Sequence, residues 1–135
     1  MGSPAESRFD DLFEGVAVKR ERSEAVATCS RRTLEMVEAF QVNLLSQSEL
    51  TAAQRSCLAR EADRLEAALA VALRSEIGVA STIPRTLATV RLDQPEHTGL
   101  LDGEADAVEA LAASLRSTAA ALRLMHEIRR RSGLT

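Results

Sequence analysis

Apolar residues return every three or four positions along three stretches of this chain, and polar runs separate the stretches. That period places the apolar side chains of each stretch on one face of an α-helix. In the first stretch the face is Phe9, Leu12, Phe13 and Val16, then Val26, Cys29 or Ser30, Thr33, Val37, Phe40 and Leu44. Between its halves stands Lys19-Arg20-Glu21-Arg22-Ser23-Glu24, polar on all sides. Leu12, Val26 and Leu44 share one heptad register, so a single helix over about 6–46 is expected, coiled-coil-like with a polar middle.

Ser46 to Thr51 interrupts the pattern. Thr51 followed by Gln54 matches a capping box, in which each side chain takes the other residue's backbone amide. A second helix over about 52–77 follows, with Leu58, Ala62, Leu65, Leu69, Ala72 or Leu73, and Ile77 as its face and Gly78 as its stop. A third is expected over about 103–132, with Asp102 as its cap and Gly133 after its end. Its face is Leu101, Ala105, Val108, Leu111, Leu115, Ala119 or Leu122, Met125 and Ile128. Acids open it and Arg129-Arg130-Arg131 closes it, which suits the helix dipole.

The connection 79–102 is long for a bundle. Ile83, Leu87 and Val90, with Pro84 after Thr82, predict a short helix there; the β-branched Thr86, Thr89 and Val90 leave an extended segment as the alternative. The expected fold is all-α. It is a three-helix antiparallel bundle, or helical hairpin, with coiled-coil character and one domain spanning 1–135.

The helix lengths do not match. At 1.5 Å per residue the three helices measure about 60, 39 and 45 Å. The first turns of helix 1 then project with Phe9, Leu12, Phe13 and Val16. Either helix 1 breaks between Gly15 and Ser23 and folds back, or another chain covers this face.

Composition narrows the picture. The chain has 135 residues with three Phe and no Trp or Tyr, so its core is built from Leu, Val, Ile, Met and Ala, which favours closely packed helices. A net charge of -3 with interspersed signs gives no basic field, and exposed rings for base stacking are scarce, so no nucleic-acid partner is expected. No run of about 20 apolar residues is present to span a membrane. The polar, acidic start does not resemble a secretory leader. In the expected hairpin Cys29 and Cys57 are offset by about 16 Å along the axis, too far for a bridge. Both are read as reduced thiols of a cytoplasmic, intracellular protein.

Candidate chemistry is thin. His97 and His126 have no ligand spacing with each other or with the cysteines, so no metal or other cofactor is expected. The neighbouring acids Asp10-Asp11, Glu61-Asp63 and Glu104-Asp106 do not face each other on a helix and are expected to be solvated. Cys29 and Cys57 lie on or beside apolar faces, where a thiol packs as a small hydrophobe. With no phosphate loop or nucleophile elbow either, no enzyme activity is expected.

Two short strings carry resemblances. Met125-His126-Glu127-Ile128-Arg129 resembles the phospho-accepting box of sensor histidine kinases, which implies phosphorylation at His126; the proline usual after the Arg is absent. Phe9-Asp10-Asp11-Leu12-Phe13 resembles the Phe-x-Asp-x-Phe peptides that bind clathrin-adaptor appendage domains. More generally, Phe9, Leu12, Phe13 and Val16 have the spacing of a helix seated in a partner's groove. The expected function is a non-enzymatic protein-interaction module (a helical adaptor, assembly subunit or small chaperone) whose partner is another protein or a second copy in a dimer. The alternative is a histidine-phosphotransfer bundle using His126.

Overall fold

Three helices, α1 (Pro4–Leu45), α2 (Ala52–Ala80) and α3 (Thr98–Ser132), pack as a bundle in the computed structural model. It describes the backbone of residues 4–84 and 98–134 and the side chains of 15–84 and 99–134; no described residue lies in a strand. Lys19 meets Glu104 and Ser30 meets Ser114, so α1 and α3 run parallel. Glu76 meets Ser114 and Thr118, and Glu66 meets Arg129, so α2 runs against both. The closest packing is between α1 and α3.

The turn chemistry explains where the helices stop. Thr51 Oγ1 accepts from the Gln54 amide at 3.1 Å, and the Thr51 amide donates to Gln54 Oε1 at 2.8 Å, as the capping box requires. Gly133, at φ 66°, closes α3 with its amide on the Arg129 carbonyl, in the left-handed conformation that glycine adopts without strain.

The first helix is continuous, as the heptad register predicts, while the end of α2 and the start of α3 differ from the sequence reading. α1 does not break between Gly15 and Ser23. Its polar middle belongs to the packing face: Lys19 and Ser23 are buried. α2 passes through Gly78 and ends at Ala80, with the Ser81 amide on the Ile77 carbonyl. α3 starts at Thr98, so Asp102 lies inside the helix and caps nothing. Helical backbone also recurs at Ile83 and Pro84, and the remainder of the expected short helix lies outside the described residues. The earlier start of α3 reduces the length mismatch. With Lys19 level with Glu104, Thr98 is level with about residue 13 of α1.

The buried rows of α2 and α3 alternate three- and four-residue steps, the heptad pattern of helices that pack along their length. On α2 the row is Leu58, Ala62, Leu65, Leu69, Ala72, Glu76 and Val79. On α3 it is Leu100, Glu104, Ala107, Leu111, Ser114, Thr118, Ala121, Met125 and Ile128. The hydrophobic cluster fills the end near the α1–α2 turn, where Val37, Phe40, Leu65 and Leu69 meet Met125, Ile128 and Leu134. Each fully buried side chain of this kind stabilises the fold by about 1.5–3 kcal/mol. Toward the other end the interior turns polar: Lys19, Ser23, Ser30, Glu76, Glu104, Ser114 and Thr118 are all buried.

Here the packing departs most from the hydrophobic pattern. Leu111, Met125 and Ile128 are inside as expected, but Leu101, Ala105, Val108, Leu115 and Leu122 face outward. On α2, Glu76 is buried in place of Ile77, and of the alternatives Ala72 and Leu73 it is Ala72 that is buried. The cause is that α3 carries two apolar rows, about 100° apart around its axis. Two neighbouring helices can cover only one. The row ending in Ala121, Met125 and Ile128 is apolar at the cluster end and complements Glu76 and Lys19 at the other, and it is the row that packs.

Candidate functional site

Polarity inside the bundle is the first feature to weigh. The Glu76 carboxylate accepts from Ser114 Oγ at 2.9 Å and from Thr118 Oγ1 at 2.7 Å. Ser114 has a single hydroxyl hydrogen, so Ser30, 2.9 Å away, donates to Ser114. This chain of bonds ties all three helices at one level. Its four members are at most 2% exposed, so no substrate reaches them in this conformation. One helical stretch away, Lys19 Nζ bonds Glu104 at 3.0 Å and the Thr82 carbonyl at 3.2 Å. Glu76, Glu104, Ser114 and Thr118 are the acids and hydroxyls that hydrophobic patterning missed; on α3 the signal available was their place in the row, Glu104 four residues after Leu100, and Ser114 and Thr118 three and seven after Leu111. The arrangement sets register and rotation, because a carboxylate or ammonium left unpaired in the interior is costly.

Arg129 makes the second polar feature. Its guanidinium holds Glu66 and Asp63 of α2 and donates to the Leu134 carbonyl. The Glu66 hydrogen bond is the largest influence raising its pKa, opposed by burial and aided by Asp63. The geometric consequence is more useful: position 129 of α3 borders positions 63 and 66 of α2.

Leu101, Val108, Leu115 and Leu122 form the third feature. They recur every seven residues, the row to which Arg129 also belongs, and are 36–47% exposed. Ala105, Ala112 and Ala119 lie beside them on the same face. Because Arg129 touches α2, this row runs along the α2 border. There it is flanked by Leu73, in the row of Glu66, and Ile77, in the row of Asp63, both exposed. The result is a continuous apolar face about 32 Å long on α3, widened by α2.

The clefts offer less. One of about 560 Å³ lies at the α1–α2 turn, where Glu127 and Arg131 already pair with each other. Two of about 380 and 420 Å³ adjoin between α1 and α2 and share Ala25, Val26 and Ser75; the Lys19 beside them is committed to Glu104. Among the described residues, no group of three His, Cys, Asp or Glu is placed to hold a metal ion. No described helix is long and apolar enough to cross a membrane.

The structure separates the expected contact residues. Phe9, Leu12 and Phe13 lie on α1, and their side chains are outside the described set. Val16 is 4% exposed and packs against Gly103, so it belongs to the bundle interior. His126 is exposed on α3, and His97 lies outside the described residues. Cys29 and Cys57 are free and exposed, not packed as small hydrophobes; Glu104 is buried, not solvated. Compared with protein-family models, curated proteins and solved structures, the chain matches none.

Proposed function

We propose that this protein is a non-enzymatic helical interaction module whose contact face is the outward row of α3, from Leu101 to Leu122, with Leu73 and Ile77 beside it. One observation carries the reading. α3 buries Glu104, Ser114 and Thr118 while four Leu and Val side chains at seven-residue spacing stay in solvent. Full burial from water is worth about 1.5–3 kcal/mol per side chain; these four are 36–47% exposed, so a partner helix that covers them gains a little under half of that at each. Seven-residue spacing is what a second helix packed along α3 requires.

The test is site-specific photo-crosslinking in cells that produce the full chain. A photoreactive residue at Val108 or Leu115 should give covalent protein adducts. The same residue at Arg32 or Glu35, exposed on α1, should give none. Equal or absent adducts at all four positions would contradict the reading.

A further inference from the structure

We infer that the outward row of α3 is covered by α3 of a second copy of this chain, packed antiparallel about a two-fold axis near Ala112. The inference rests on the interaction-module reading and identifies its partner.

The charges beside the row carry it. Asp102, Glu109, Arg116 and Arg123 also recur every seven residues, each one position after a member of the apolar row, and all four are exposed. They therefore edge the apolar face. None of them makes a hydrogen bond or ion pair with a described residue. The next residue in that row, Arg130, is already held by Glu127. The order of signs is two acids, then two arginines. Reversing the direction of a second α3 sets Asp102 opposite Arg123 of the other copy and Glu109 opposite Arg116, and each pair occurs twice by symmetry. The same reversal levels Leu101 with Leu122, and Val108 with Leu115, of the other copy. Ala105, Ala112 and Ala119 line the middle of the face, where small side chains let two helices approach closely. In a parallel second copy the flanking rows of the two chains would lie on opposite sides of the seam, and the four charges of one chain would meet none of the other. The surface is self-complementary in one orientation only.

The experiment is sedimentation equilibrium on the full chain and on charge-reversed variants. All four positions are exposed, so the variants should fold; circular dichroism checks this. The wild type should sediment at twice the 14.6 kDa chain mass. D102R/E109R alone and R116E/R123E alone should associate at least about tenfold more weakly, because each makes its row one sign. Their equimolar mixture should regain the dimer, and so should the fourfold reversal. A wild type of single-chain mass at all concentrations, or variants that associate as the wild type does, would overturn the inference. Single-chain mass together with photo-adducts to a different protein at Val108 or Leu115 would overturn only the second copy as partner. Single-chain mass without adducts would overturn the module reading as well.

Discussion

Lys19 on α1 and Glu104 on α3 form a 3.0 Å ion pair whose side chains are at most 9% exposed. The second Glu104 oxygen has no hydrogen-bond partner among the described residues. A buried pair in this state is costly to break and weakly stabilising to keep. Lys19→Met alone should therefore cost about 3–5 kcal/mol in urea denaturation, by stranding the carboxylate. The double variant K19M/E104L should recover most of that loss and reach or exceed wild-type stability. A double variant as unstable as the single one would show that the pair has other duties.

Gly103 of α3 lies against Val16 of α1: a methyl group at position 103 would sit 2.5 Å from Val16 Cγ1. Valine is stiff at its first side-chain torsion and cannot swing clear. Gly103→Ala gains about 1 kcal/mol of helix propensity, and overpacking costs about 1–3 kcal/mol. The net result should be a small loss of stability. In the V16A background the same change should stabilise. If Gly103→Ala stabilises equally in both backgrounds, Val16 does not pack there.

How much of this was legible in the chain depends on what fixed each feature. The capping box at Thr51 and the stop at Gly133 were readable because backbone chemistry is local. The heptad linking Leu12 to Leu44 held through a polar middle, and α1 is unbroken there. The rotation of α3 was not readable. Hydrophobicity ranks Leu115 above Ser114 as a core residue, yet Ser114 is fully buried because Glu76 on another helix gives it a partner. Such pairing is visible only once the helices are placed together. The outward row was thus read as core, and its availability to a partner was hidden with it. Val16 was misread for a related reason. The helix that covers it starts at Thr98, earlier than the pattern around Asp102 suggested.

Near the end of α3, Glu127 is held below its ordinary value of 4.5, chiefly by its hydrogen bond to Arg130, against a desolvation effect that raises it; the charges of Arg130 and Arg131 lower it further. A lowered folded-state value means that the contribution to helix stability is present above the ordinary carboxylate range. It is lost as pH falls through the lowered value. The Glu127 carboxyl carbon, followed by NMR, should titrate below 4.5 in the wild type and move back toward it in Arg130→Gln. An unchanged midpoint in the variant would remove Arg130 as the main cause.

The central claim is that α3 turns its Leu and Val row outward for a partner. It is tested most directly by the double variant V108E/L115E. Two carboxylates placed in a core would each be a buried, unpaired charge and would unfold a bundle of this size. Placed on an exposed face, they should leave the helical circular dichroism intact. The melting free energy at high dilution should then stay within about 1 kcal/mol of wild type. Association, read as sedimenting mass, should fall to the 14.6 kDa single chain. An unfolded variant would mean that the row is core, and a folded variant that still assembles like the wild type would mean that the row is not the contact face.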